Sequence, residues 1–430
     1  MGTDGRFGGA VPPERQISAG FIRARELVEA IAACGRSAEF PDRGVSRLAL
    51  TEPDRQAREL TAKEMRELGM AVRTDACCNL WGVLGGVEKG PGVIIGSHLD
   101  SVPEGGDYDG VLGVAAGLGV VRDLLAGQPH PARTLAVVAF TAEESSRFSL
   151  ATVGSKAAAG RLTPEDAERF RDARGVTLAR ALRDFGGRPE DLGKEPLSPK
   201  DWAAYFELHI EQGPVLDRTG DDVGIVEAIA APTRFMLELE GVQAHSGACP
   251  MDLRHDALAA AAEVILAVEE AGRSEARHGS VATVGVCECH PGAMNVVPGR
   301  VVLKVDLRGI RSESVARMRG AVMAKAVSIC GARGVACRLT PYSSDEPVAM
   351  DTGLTALVED VCRERGVSHR RMPSGAGHDA MFVAERIPSA LIFVPCKDGI
   401  SHSPKERIEW SRVQAGYEVL REAVKRRLFP

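Results

Sequence analysis

Residues 92–144 place the tightest constraint on the fold. An apolar, β-branched run, "GVII", ends in the polar segment "GSHLDSVPEGGDYDG"; a long apolar stretch, "VLGVAAGLGVVRDLLAG", follows; a second β-branched run, "TLAVVAF", ends in "TAEE". The short runs read as buried strands and the stretch between them as a helix buried on all sides. Strand, helix, strand in this order is the unit of an α/β sheet whose faces are covered by helices. In such sheets ligand sites form at the carboxyl ends of strands. His98 and Asp100 occupy one such end, Glu143 and Glu144 the next, so the sheet brings together residues far apart in the chain.

The rest of the chain supplies a frame for that unit. "GFIRARELVEAIAACG" and "EPDRQARELTAKEMRELGM" carry helical apolar spacing with closing glycines, and Pro53 sits where a first helical turn accepts it. "AVRTDACCNLWGVLGG" and "AAYFELHIEQG" read as strands, separated in the chain by a charged, Pro- and Gly-rich stretch of short helices over 161–200. Over 223–342 four strand-like runs and two helix-like runs form a compact α+β unit. At 430 residues the chain exceeds the usual single-domain size. The expected architecture is an α/β domain with helices on both faces of a mixed sheet (1–222 and 343–430), interrupted by a smaller α+β domain at 223–342.

Composition narrows the functional class. A net charge of -6 and a pI near 6.0 provide no basic excess for a nucleic-acid backbone. Apolar runs are broken by charge or glycine before reaching membrane-spanning length, and "MGTDGRFGGAVPPERQ" lacks the apolar core of a secretory leader, so a cytoplasmic protein that binds neither nucleic acid nor membrane is expected. The ten cysteines are too sparse for a disulfide scaffold. "VCECH" on a strand would place neighbouring side chains on opposite faces, which disfavours a metal role for Cys287, Cys289 and His290.

The chemistry lies in polar residues beside strand ends: His98, Asp100, Asp109, Glu143, Glu144, His209 and His402. Any one histidine alone reads as a structural hydrogen-bonding residue, and "TAEESS" alone as a solvated acidic helix start. Together, imidazole and carboxylate suit Zn²⁺, Mn²⁺ or Co²⁺, and a carboxylate between two ions can bridge them, a role that fits Asp109. Asp100, two residues after His98, would share its face on an extended backbone and accept the imidazole's second N–H. Adjacent acids are useful when their tasks differ: Glu144 can face a metal while Glu143 takes the proton of the attacking water and returns it to the leaving nitrogen.

"GSHLDSVPEGGDYDG", "TAEESSRF", "FELHIEQGPVLD", "GVQAHSGACPM", "NVVPG", "VDLRG", "SGAGHDA" and "VPCKDGISHSPKE" occur in an order that resembles the amidase and carbamoylase branch of the zinc-dependent M20 metallopeptidase family, over roughly residues 20–425. The resemblance implies a zinc-peptidase-like catalytic domain and an inserted dimerisation or lid domain. It also implies two divalent ions per subunit, zinc first, with manganese, cobalt or nickel as other choices. His98 and His402 would be outer ligands on one side, Glu144 and His209 on the other, with Asp109 bridging. Glu143 would be the general base and Asp100 its supporter at the metal site. His245 would reach the partner's site in a homodimer and polarise the carbonyl under attack.

Arg308 would clamp a substrate carboxylate and Asn295 add a directional hydrogen bond. Gln212 would contact the carbamoyl group, and His378 the substrate or a group behind it. The implied reaction is hydrolysis of an N-carbamoyl-L-amino acid to the amino acid, carbon dioxide and ammonia. Allantoate, a β-ureido acid, an N-acyl amino acid or a specialised amide are alternatives that use the same machinery. A silent binding protein is disfavoured, because buried carboxylates without metals are costly. Ser145, Ser246, Glu104, Asp107, Cys396 and Lys397 depart from the usual pattern of the branch, and Asp107 is expected to discourage acidic substrate side chains.

Overall fold

The computed structural model of the protein describes residues 17–127 and 130–429. Residues 1–16, where no leader was expected, lie outside that set. Among the described residues the larger sheet has nine strands. Its centre is parallel, in the order Leu135–Phe140, Gly92–His98, Trp202–Ile210, Ser389–Val394. Leu80–Leu84 and then Ala71–Thr74 continue one side antiparallel. On the other side Val223–Ile229 runs antiparallel to Ser389–Val394 and pairs with both Val348–Ala349 and His369–Ser374. The sheet is mixed.

Every residue of Gly92–His98 and of Leu135–Phe140 is buried, as their β-branched sequences require of strands covered on both faces. One face packs under the helices Ala19–Ala33, Val111–Gly127 and Trp410–Leu428, the other under the short helices Val153–Ala158 and Asp379–Val383. Val111–Gly127 is the crossover between two central strands, and its first three turns are wholly buried. It lies close to Ala19–Ala33 because glycine faces glycine: a Cβ on Gly119 would stand 2.5 Å from the Gly20 carbonyl oxygen. Asp123 fastens this layer, accepting from the Gly20 N–H and the Tyr417 hydroxyl, each at 2.8 Å, and pairing with Arg421 at 3.0 Å.

Among the described residues the second sheet has four antiparallel strands in the order Ala336–Ser344, Ala231–Glu240, Arg300–Gly309, Val281–His290. Helices Ala257–Glu275 and Ser312–Ala332 cover it and enclose a separate apolar core around Leu237, Val264, Leu303 and Val322. The boundary expected at 223 assigned Val223–Ile229 to this unit, but the strand pairs in the larger sheet. Only Ala230 separates it from Ala231–Glu240, so no turn residue marks the change of sheet in the sequence. Among the described residues no helix is long and apolar enough to cross a membrane.

Overpacking the glycine contact should loosen the helical layer without touching the strand ends. Gly119→Val is expected to cost about 1–3 kcal/mol of stability and lower the melting temperature while leaving metal content unchanged. An unchanged melting curve would contradict the packing account.

Candidate metal centre

Parallel register builds the site. Ile95 aligns with Phe206, which carries His98 to the level of His209 on the neighbouring strand, with ring centroids 5.9 Å apart. Each ring is oriented by a backbone carbonyl: His98 Nδ1 donates to Asp100 O at 3.0 Å and His209 Nδ1 to Ile210 O at 2.8 Å. Those bonds assign the proton to Nδ1 and leave both Nε2 atoms as lone-pair donors facing Asp109.

The Asp100 carboxylate, expected to take the His98 proton, stands 3.8 Å from Nδ1. It accepts instead from the backbone N–H groups of Glu143 and Glu144, both at 3.1 Å. The strand ends at His98, so the alternation assumed for His98 and Asp100 does not extend to Asp100. Its carboxylate ties the strand end to the neighbouring acid-bearing turn.

Asp109 is the junction. Its Oδ1 lies 3.5 Å from His98 Nε2 and 3.2 Å from His209 Nε2; its Oδ2 lies 3.2 Å from His402 Nε2, which is 3.0 Å from Glu144 Oε1. Two triads therefore share Asp109: His98, Asp109 and His209 form one, Asp109, Glu144 and His402 the other. This corrects the expected pairing of His98 with His402 and of Glu144 with His209. Strand order decides it, because His98 and His209 stand on adjacent strands at one level.

The donor set fits two metal ions. Ligand atoms held tetrahedrally at roughly 2.0–2.2 Å from one ion lie about 3.3–3.6 Å apart, close to the separations found here. Asp109 Oδ1 and His209 Nε2 are buried and make no hydrogen bond. Such unpartnered buried atoms are rare unless another group, here a cation, satisfies them. The geometry is that of a binuclear metal site, consistent with a metal-dependent amidohydrolase, and its mixed imidazole and carboxylate donors suit zinc, manganese, cobalt or nickel.

Surrounding residues fix Asp109 in place. Gly110 adopts φ +68°, and a Cβ there would meet the His98 ring at 2.4 Å, so the turn after Asp109 requires glycine. The buried Glu406 carboxylate accepts from the N–H groups of Tyr108 at 2.8 Å and Asp109 at 3.3 Å. The Ser401 hydroxyl lies between Asp109 Oδ2 at 3.0 Å and Glu406 Oε2 at 2.9 Å. Gln212 Nε2 donates to Asp109 Oδ2 at 2.7 Å. Ala142, Gln212 and His402 take φ of +53°, +58° and +53°, backbone strain gathered around the cluster.

Access is one-sided. The His402 side chain is 47% exposed, whereas those of His98 and His209 are at 2% and 1%. Glu143 is buried 3.9 Å from His98. Burial pushes its carboxyl well above the usual range; His98 opposes the rise and Glu144 adds to it. Burial also raises Asp100 to about 6, against the pull of His98. His378 is held well below the ordinary imidazole range by burial and by His209, so it stays neutral.

None of the remaining expected residues belongs to either triad. His378 stands behind His209, with ring centroids 4.5 Å apart, and its Nε2 meets Ser374 Oγ at 3.0 Å; it packs against a candidate ligand within the wall. His245 lies on a two-stranded ribbon opposite Val296, and Asn295 is the turn residue just before that strand; both are exposed and neither side chain is hydrogen-bonded to the cluster. Arg308 pairs with Asp306 and donates to Gly375 O at 3.0 Å, reaching from the smaller sheet to the loop before His378. Asp107 contacts Arg36 and Glu104 pairs with Arg43 at 3.2 Å, so both carboxylates clip the loop that carries Asp109.

Sequence reasoning missed Glu406, Ser401 and Glu207. Glu207 accepts from Ser97 Oγ at 2.8 Å, Tyr205 Oη at 3.1 Å and the Ala380 N–H at 2.9 Å, locking three elements beneath the site. Its place two residues before His209 on a strand was the available signal.

The chain matches peptidase family M20/M25/M40 over residues 94–426. It is 39% identical over 406 residues to an N-carbamoyl-L-amino acid amidohydrolase of Geobacillus stearothermophilus, covering 94% of this chain and 98% of the relative. Over 400 residues it is 35% identical to an allantoate amidohydrolase of Bacillus subtilis, covering 92% and 95% respectively. The crystal structure of an amidase of the hydantoinase/carbamoylase family from Burkholderia multivorans matches with a TM-score of 0.88 at 34% identity, covering 95% of this chain and 98% of that one.

Removing Glu406 should release the Asp109 backbone while leaving every proposed ligand in place. Glu406→Ala is expected to weaken metal binding by roughly 10–100-fold, the usual effect of losing a group that orients a ligand. Competition with a chelator measures this, and an unaltered affinity would contradict the role assigned to Glu406.

Proposed function

The chain belongs to peptidase family M20/M25/M40, in its amidase/carbamoylase branch, and from that premise we propose that it hydrolyses the ureido C–N bond of an N-carbamoyl-L-amino acid. At branch level the activity is amidohydrolysis of ureido and carbamoyl-amino-acid-like substrates. The observation that carries the finer reading is Gln212. Its Nε2 is spent on Asp109, which assigns the amide orientation, and its Oε1 is buried without a partner. An unpaired acceptor beside the cluster suits the terminal NH₂ of a ureido group, a donor that a peptide bond lacks.

His98, Asp109 and His209 would hold one ion, and Asp109, Glu144 and His402 the other. When bound, the ions polarise the ureido carbonyl and acidify the attacking water. Glu143, with its carboxyl raised by burial, takes the water's proton and delivers it to the leaving amino nitrogen. Asp100 holds the Glu143 and Glu144 backbone so that one acid faces the metals and the other the proton path. Arg308 pairs with the substrate carboxylate. Breaking the C–N bond gives the L-amino acid and carbamic acid, which falls apart to carbon dioxide and ammonia.

His245 on its ribbon and Asn295 beside it, both exposed and neither hydrogen-bonded to the cluster, would serve a second copy's site in a homodimer. The ten unpaired cysteines accord with a cytoplasmic setting. The similarity to the Bacillus subtilis protein favours allantoate as the second reading.

Ammonia release from N-carbamoyl-L-amino acids, β-ureidopropionate and allantoate tests the proposal. Glu143→Gln should keep both ions and lose roughly 10²–10⁴-fold in kcat. Mixed with His245→Ala subunits, it should regain activity if the histidine acts across subunits. Preference for allantoate would move the assignment to that substrate; silence across the panel with metal bound would overturn the ureido reading.

A further inference from the structure

A cavity of about 720 Å³ lies beside the metal centre, between the larger sheet and the inserted unit. Its apolar wall includes Val215, Met372, Pro373 and Phe393 from the larger domain, with Val281 from the smaller sheet. Val215 and Val281 are 40% and 57% exposed, leaving apolar surface open on elements from both units. The volume falls within the range of small-molecule sites, which bury most of their ligand against apolar groups.

Two residues already placed at the substrate border this cavity. Gln212 lines it while donating to Asp109. Arg308 donates to the carbonyl of Gly375, a lining residue, and lies directly across the strand pair from Val281. Most polar groups on the wall are already engaged. Glu211 accepts from the N–H groups of Val215 and Leu216, both at 2.8 Å, and Arg371 pairs with Glu227 and Glu359. Arg370 is held more loosely, 3.7 Å from Asp221.

An α-amino acid carries its carboxylate, its carbamoyl nitrogen and its side chain on one carbon. With the carboxylate on Arg308 and the ureido group against Gln212, the third substituent would face the cavity that these two residues border. Resting on the carbamoyl-amino-acid reading above, we propose that this cavity receives the substrate side chain and selects large apolar ones, aliphatic or aromatic. The Arg370 cation discriminates against lysine-like ends. Removal of apolar surface from water supplies the preference, which grows with each methylene buried.

Binding to the full-length, metal-loaded Glu143→Gln protein, read by calorimetry, separates this inference from the hydrolysis reading. N-carbamoyl-L-phenylalanine and N-carbamoyl-L-leucine should bind at least tenfold tighter than N-carbamoylglycine or N-carbamoyl-L-lysine. Val215→Trp, a substitution at a half-open position, should narrow the cavity and lower the phenylalanine-to-glycine ratio. Arg370→Gln should raise the affinity for N-carbamoyl-L-lysine. Equal binding of the phenylalanine and glycine compounds, no binding of any of them, or a ratio unmoved in a folded Val215→Trp protein would overturn the assignment. Size-selective binding without ammonia release by the unmutated enzyme would sink the hydrolysis reading alone.

Discussion

The Asp109 carboxylate is the group on which the site depends. One oxygen faces His98 and His209, the other His402, so a single side chain determines whether two triads exist or none. A carboxylate buried in that position is costly unless cations or hydrogen bonds compensate it. The structure surrounds it accordingly: Glu406 holds its backbone N–H, Gln212 and Ser401 meet its outer oxygen, and Gly110 lets the chain turn beneath the His98 ring. The crossover helix that begins two residues after Asp109 is packed glycine-to-glycine against its neighbour, so the carboxylate stands on a rigid base.

Each feature of the fold that matters to the chemistry follows from bringing strand ends level. Four parallel strands finish near the cluster and deliver His98, the Glu143–Glu144 turn, His209 with Gln212, and the loop that reaches His402. Positive φ angles at Ala142, Gln212 and His402 show what that convergence demands of the backbone. The buried histidines take their orientation from main-chain carbonyls, which a change of side chain elsewhere does not remove. The inserted unit contributes no ligand to either triad; its four-stranded sheet carries Arg308 and, across from it, Val281 of the cavity lining, and its two-stranded ribbon carries His245, next to Asn295.

Much of this was legible in the sequence. The runs "GVII", "VLGVAAGLGVV" and "TLAVVAF" announce a buried strand, helix and strand, and the polar residues at their ends are those that converge. What was not legible depends on three-dimensional order. Pairing His98 with His209 requires knowing that their strands are neighbours, and the task of Asp100 requires knowing that the strand stops before it. Val223–Ile229 and Ala231–Glu240 are equally strand-like, so only pairing partners separate them into two sheets. Glu406 lies nearly 300 residues from Asp109, and no local pattern links the two.

Counting ions in double variants tests the shared-carboxylate account most directly. The unmutated chain should bind two divalent ions. With His98→Ala and His209→Ala combined, one ion should remain, held by Asp109, Glu144 and His402; with His98→Ala and His402→Ala combined, both triads are broken and none should remain at saturation. One ion retained in the second variant and none in the first would contradict the arrangement described here.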